Sequence, residues 1–199
     1  MKEYILQNIQ ESLNAKTKLL QDERLTSLIE KVAGICIEAY KKGNKILVCG
    51  NGGSASDAQH MTGELVGRYK IERAGIPAIS LNANTAVMTA LGNDYDYDSI
   101  FAKQVKALGV KDDVLFAIST SGNSKNAILA CEEAKKQGIH TVALTGESGG
   151  KLMDMADVTL NVPSGNTPRI QEMHILIIHI LCGLIEKGLY DTGYFEENQ

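Results

Sequence analysis

Five short apolar runs, at residues 45–49, 76–81, 113–118, 141–145 and 158–162, are set apart along this chain by stretches compatible with helices. Short, nearly continuous apolar runs are the mark of strands buried on both faces, and strands alternating with helices form a parallel sheet covered on each side. The pattern predicts an α/β fold, a three-layer α/β/α sandwich on a central, mostly five-stranded parallel sheet. Ahead of it, apolar residues recur at three and four places over 4–20 (Ile5, Ile9, Leu13) and 25–42 (Leu28, Ile29, Val32, Ile35), which is the helical period. Two helices therefore precede the sheet. Because Ile5, Leu6 and Ile9 open a long amphipathic segment before the first strand, the arm at 1–42 is expected to pack on a partner subunit or on the outside of the α/β core at 43–199. With 44% hydrophobic content and no break in composition, the whole of 1–199 reads as one domain.

Ligands of such sheets lie beyond the carboxyl ends of the strands, and two loops there share one design. The run 113–118 leads into Ser119-Thr120-Ser121-Gly122-Asn123-Ser124 and a helix-like 125–137; the run 45–49 leads into Gly50-Asn51-Gly52-Gly53-Ser54-Ala55-Ser56 and a helix-like 57–68. Hydroxyl and amide groups there sit where a helix N-terminus exposes unpaired N–H groups and a partial positive charge, a combination that holds an oxyanion without a lysine. A polar turn capped by Ser124 explains the second loop equally well when it is taken alone. Two copies suggest one substrate held between them. The spacing matches neither the dinucleotide Gly-x-Gly-x-x-Gly nor a P-loop. Thr145-Gly146-Glu147-Ser148-Gly149-Gly150 forms a third loop on the same edge.

Twenty basic against 24 acidic residues leave a formal net charge of −4 with no basic cluster interleaved with aromatics, so no nucleic acid is expected as a partner. Cys36, Cys49, Cys131 and Cys182 lie far apart without a Cys-x-x-Cys pair and read as buried, reduced thiols of a cytoplasmic protein. Met1-Lys2-Glu3-Tyr4 leads into a polar amphipathic segment, and no apolar run is read as approaching the ~20 residues of a membrane span, so no membrane is expected either.

Asp57-Ala58-Gln59-His60-Met61-Thr62-Gly63-Glu64 places His60 and Glu64 four apart, one turn apart on one helical face. The spacing suits metal ligation or acid/base work, although such a pair taken alone is more often a surface hydrogen bond; it lacks the internal glutamate of a zincin motif. A last helix, with Thr167 as N-cap and Pro168 at its first position, runs from Ile170 to about Lys187 before Gly188 stops it. On it Gln171, Glu172, His174 and His179 interrupt an apolar sequence. His179, within Ile177-Ile178-His179-Ile180-Leu181, needs a hydrogen bond, a ligand or a cleft to be tolerated there. Gln171 and His179 are about 12 Å apart along a straight helix, so meeting at one ion requires both side chains to lean together or a neighbouring chain to contribute. His140, at a strand entrance, and His174, on another helical face, read as structural. Asn93 and Asp94, after Gly92, are expected in a loop closing one side of the cleft, where either turn chemistry or polyol recognition accounts for them.

Taken together, Gly50-Asn51-Gly52-Gly53-Ser54, Asp57-Ala58-Gln59-His60 with Glu64, Gly92-Asn93-Asp94, residues 118–124, Leu144-Thr145-Gly146 and Arg169-Ile170-Gln171-Glu172 with His174 and His179 resemble the sugar isomerase (SIS) domain superfamily, and within it the phosphoheptose isomerase family, over nearly the whole chain. The resemblance implies conversion of sedoheptulose 7-phosphate to D-glycero-D-manno-heptose 7-phosphate, the entry step to nucleotide-activated heptose for bacterial surface glycans such as lipopolysaccharide. It implies that Ser54, Ser119, Thr120, Ser121 and Ser124 hold the phosphate, and that Asn51, Gly52, Gly53, Glu64, Asn93, Asp94 and Gln171 contact the sugar. One zinc per subunit is implied at His60, Glu64, Gln171 and His179, with Glu64 and His179 transferring protons, in a homotetramer whose sites lie between subunits. Pro168 stands where some relatives carry an acid, so no catalytic acid is assigned just ahead of Arg169.

An aldose–ketose interconversion needs a base at carbon, an acid or ion at the oxygens and an anchor at the far end. In an enediol route Glu64 is expected to take the carbon proton and His179 to shuttle protons at oxygen, while zinc polarises the carbonyl. A carboxylate that also ligates a metal is a weaker base, so the two roles of Glu64 compete. A non-catalytic SIS module that binds a sugar phosphate or a protein, of the replication-initiator-associating type, is the alternative; it would be free to lose His60, Glu64, Gln171 and His179, all present here. The absence of a helix-turn-helix extension speaks against a transcription factor. Single-domain length and the Arg-Ile-Gln-Glu segment weigh against an amino-sugar phosphate isomerase or lyase.

Overall fold

A computed structural model of the chain describes residues 1–197. The five apolar runs form strands β1 (Ile46–Gly50), β2 (Ala78–Ser80), β3 (Val114–Ile118), β4 (His140–Thr145) and β5 (Val158–Asn161), paired in parallel in the order β2-β1-β3-β4-β5. Successive strand residues point to opposite faces, so Ile46, Val48, Val114, Phe116 and Ile118 enter one core and Leu47, Cys49, Leu115 and Ala117 the other. Every residue of β1 and β3 is buried.

The first core is covered by α1 (Lys2–Gln21), α2 (Glu23–Lys41), α3 (Gly53–Val66), α8 (Thr167–Asp191) and α9 (Tyr194–Glu197); the second by α4 (Thr85–Asp94), α5 (Ile100–Leu108), α6 (Lys125–Lys136) and α7 (Leu152–Met155). The expected three layers are present. Asp22 caps α2, its side chain accepting from Leu25 N at 2.9 Å. The arm divides in two: α2 buries seven residues, whereas α1 buries only Ala15 and Leu19 and leaves Tyr4, Ile5, Leu6, Ile9, Leu13 and Leu20 more than half exposed. All four cysteines are buried and unpaired.

Several expected boundaries move. Gly52, at φ +56, turns the chain so sharply that helical bonding starts at once, with Ala55 N and Ser56 N donating to the Gly52 carbonyl, and α3 begins at Gly53 rather than near Asp57. Asn93 and Asp94 lie in the last turn of α4, capped at its start by the Asn84 side chain, and not in a loop. The N-cap of α8 is Asn166, not Thr167, and the helix passes Gly188 to end at Asp191. That glycine is a packing position: a Cβ there would meet Ile37 Cδ1 of α2 at 2.3 Å. By length and composition α8 is also apolar enough to cross a membrane, contrary to the expectation that no run approaches that length. Half of its most apolar window is buried against the rest of the protein, which is how a central core helix acquires the same composition.

Candidate active site

The strand order 2-1-3-4-5 reverses direction between β1 and β3, which makes the crevice beyond their carboxyl ends the ligand site expected of a doubly wound sheet. The loops after these strands run to helices on opposite faces, α3 and α6, whose N-cap residues Gly52 and Ser124 make no side-chain cap bond, although Asn126 Oδ1 accepts Ala127 N in the first turn of α6 at 2.9 Å. The positive ends of both helix dipoles therefore face the crevice. An amide pair bridges its floor: Asn51 Nδ2 donates to Asn126 Oδ1 at 2.8 Å, and Asn126 Nδ2 returns a bond to Asn51 Oδ1 at 2.9 Å. Tyr97 OH also donates to Asn51 Oδ1, at 3.1 Å, bringing the segment after α4 to the same loop. At the edge beyond β2, the Asn82 side chain continues the strand ladder by bonding Gly50 N and O at 3.2 and 2.8 Å.

The candidate anchoring hydroxyls divide by environment. Ser54 and Ser119 are 3% exposed, and the Ser119 and Ser124 hydroxyls bond each other at 2.9 Å. Ser121 is exposed and its Oγ accepts Asn123 N at 3.1 Å. Thr120, Ser121 and Asn123 line a polar depression of about 280 Å³ with Gly146, Glu147, Ser148 and Ser164 of the third loop and its neighbour. Gly122 makes this approach possible: at φ +65, a Cβ on it would lie 1.9 Å from the Gly149 carbonyl oxygen. Asn93 and Asp94 are exposed and bond each other at 2.9 Å.

Helices α3 and α8 lie side by side on the first face, and their facing side chains make the second half of the site. His60 Nε2 lies 3.1 Å from Glu64 Oε1, one turn on, and 2.9 Å from His179 Nε2 across the helix pair. The three donor atoms all lie within 4.8 Å of one another, a set able to hold a metal ion. The Tyr69 ring stacks on His179, with centroids 6.0 Å apart and planes inclined by 16°. Gln171 sits about two turns earlier on α8, its amide packed on the bare Cα of Gly53, where a Cβ would come within 2.4 Å of Nε2. It shares a depression of about 440 Å³ with Ser56, Asp57, His60 and Glu172. That depression joins the N-terminus of α3 to the histidine cluster. Among the described residues Asp57 Oδ2 is buried without a hydrogen-bond partner, and burial raises its carboxyl to about 6, with His60 opposing the shift. His174 is fully buried, bonds the Thr145 carbonyl at 3.2 Å, and is held at about 4 by burial, a structural histidine as expected.

Asn82, Asn126, Tyr97 and Tyr69 escaped the sequence, as did the ion pair behind Tyr69, in which Arg73 Nε lies 2.9 Å from Glu186 Oε1. Only Glu186, a lone acid in the apolar tail of α8, offers a signal of the kind that singles out His179.

Fold and site define a doubly wound α/β protein with two small-residue loops at its switch point and a His/Glu/His donor set on the adjoining helix pair. The SIS domain family model matches residues 10–146. Phosphoheptose isomerase of Aneurinibacillus thermoaerophilus is 50% identical over 194 residues, 98% of either chain. Among solved structures, phosphoheptose isomerase from Neisseria gonorrhoeae superposes with a TM-score of 0.88 at 43% identity, covering 94% of this chain and 98% of that one. The corresponding structure from Francisella tularensis gives 0.89 at 42% identity, over 93% and 97%. The chain belongs to the SIS domain family and, within it, to the phosphoheptose isomerases.

Proposed function

We propose that this chain is an aldose–ketose isomerase that converts sedoheptulose 7-phosphate to D-glycero-D-manno-heptose 7-phosphate. The observation that carries the reading is the convergence of His60, Glu64 and His179 beside a crevice on which two helix N-termini open. The 7-phosphate is held at the crevice by Ser119, Thr120, Ser121 and Ser124, with Ser54 beneath the first loop. Asn51, Gly52, Gly53, Asn93, Asp94 and Gln171 border the sugar. Anchoring the far end converts proton transfer into an intramolecular step. Glu64 takes the proton from C1 of the ketose; His179 delivers one to O2 and removes one from O1; and Glu64 returns its proton to C2. No proton is gained or lost overall. Exposure of Glu64 to solvent, 25% of its side chain, lets the abstracted proton exchange with water before return.

The donor set fits a zinc ion. Tetrahedral zinc with ligand bonds of about 2.0–2.2 Å has ligand atoms about 3.3–3.6 Å apart, and the contacts of 2.9 and 3.1 Å around His60 come within a few tenths of an ångström of that. Two histidines and a glutamate leave a fourth position for Gln171 or a substrate oxygen. When bound there, the ion would supply Lewis acidity to the substrate carbonyl. The exposed apolar stripe of α1 supports a homotetramer, and the reaction belongs in the cytoplasm.

Incubation of purified protein of known metal content with sedoheptulose 7-phosphate in deuterated water, followed by NMR, tests the reading. The aldoheptose phosphate is expected, with deuterium at its C2 to the extent that the base exchanges with solvent. Saturable binding without conversion would leave only a sugar-phosphate-binding module.

A further inference from the structure

The segment 67–77 between α3 and β2 has no regular secondary structure, yet one carboxylate organises it. Glu186 of α8 accepts from Tyr69 N, Lys70 N and Ile71 N at 3.2, 2.9 and 3.3 Å, and from Arg73 Nε at 2.9 Å. Arg73 completes the clamp by donating to the carbonyls of Glu64, Leu65, Gly67 and Ala74 at 2.9–3.0 Å. The first two of these are among the carbonyls left over at the end of α3. The ion pair is almost wholly buried, its side chains 1% and 4% exposed. Such a pair contributes little stability over apolar residues of the same volume; what this one does is specify geometry. It grips the peptide of Glu64 on one side, and on the other it pins the backbone of Tyr69, whose ring lies on His179. Gly183, one turn beyond His179 on α8, leaves the space the ring occupies: a Cβ there would lie 3.3 Å from Tyr69 Cε1.

We propose that Tyr69, pinned by the buried Arg73–Glu186 pair and admitted by the bare Cα of Gly183, is a positioning residue that sets the plane of the His179 imidazole for its work beside Glu64. The proposal rests on the isomerase reading for its kinetic consequence and on the ring contact alone for its structural one. The stacked face carries the effect, so the phenol hydroxyl is dispensable.

Tyr69→Phe, Tyr69→Leu and Gly183→Val in the full chain provide the test, read by steady-state kinetics on sedoheptulose 7-phosphate and by the proton shift of the His179 ring. Tyr69→Phe should keep kcat within about twofold and leave the ring shift in place. Tyr69→Leu and Gly183→Val should lower kcat by about tenfold or more with KM nearly constant, since sub-ångström misplacement of a reacting group is costly, and should move the His179 signal downfield as ring shielding is lost. A Tyr69→Leu protein with kcat unchanged, or with kcat reduced but the His179 signal unmoved, would overturn the proposal, as would a Tyr69→Phe protein as impaired as Tyr69→Leu. If the parent protein turns over no sugar phosphate, the isomerase reading fails; the His179 shift in Tyr69→Leu still decides whether the ring is seated there.

Discussion

At the residue scale, the proposed roles of Glu64 and His179 rest on each being held at a contact distance from His60 while remaining partly open to solvent. Glu64→Gln and His179→Ala should each reduce kcat by at least about 10²-fold with an unchanged circular dichroism spectrum; turnover near the parent level at matched metal content would remove that residue from the mechanism. Two glycines should separate function from stability. Gly53→Ala pushes a Cβ into the mobile end of Gln171, so it should impair turnover while leaving the melting temperature nearly constant. Gly122→Ala meets the Gly149 backbone at a positive φ, neither of which yields easily, and should cost about 1–3 kcal/mol in stability, measured by urea unfolding. The pairing of His60 with Glu64 was legible because four-residue spacing on a helix is covalent geometry. His179 was legible as a polar group in an apolar run. Tyr69 was not, because the bonds that fix it reach 117 positions along the chain.

At the element scale, β1 and β3 are locked at their starts by Asp113. Its fully buried carboxylate accepts from Lys45 N, Lys45 Nζ and Val110 N at 3.0, 2.7 and 2.9 Å, with Asn44 Nδ2 at 3.3 Å. Asp113→Ala takes the acceptor from the Lys45 ammonium, whose side chain is 21% exposed, and from two amides, and should cost about 1–3 kcal/mol, read as a lower urea midpoint; a loss below about 0.5 kcal/mol would show that water replaces the carboxylate. The strands were legible to within two residues because their apolar runs need burial on both faces. The ends of α3 and α8 were not. A glycine marks a helix boundary when its conformational freedom is used, as at Gly52 where α3 starts, and means close packing when a neighbouring helix needs its bare Cα, as at Gly188 against Ile37. Sequence shows the residue and not the neighbour.

At the scale of the whole molecule, two buried groups give stability a pH dependence of opposing signs. His174 titrates near 4 in the fold and near 6.5 when unfolded, so the unfolded chain binds the extra proton between those values and stability falls as pH drops through that range. Asp57 titrates near 6 in the fold against 3.8 unfolded, so over that window the folded state holds the extra proton and acidification is stabilising. Asp57→Asn should therefore steepen the loss of stability between about pH 6.5 and pH 4, and His174→Leu should flatten it; urea midpoints at both ends of the range measure the slopes. A slope unaltered by either substitution would assign the acid response to other groups. What the sequence by itself determined is whatever local geometry and burial dictate: a parallel five-stranded sheet between helical layers, two small-residue loops at its carboxyl edge, and a His/Glu pair on one helical face. Only the tertiary structure decided which helices are neighbours. Residues 119 apart meet at His60 and His179, and Arg73 finds Glu186, because the crossovers lay α3 and α8 side by side on one face of the sheet, and that adjacency is a property of the whole packed core rather than of any stretch of chain.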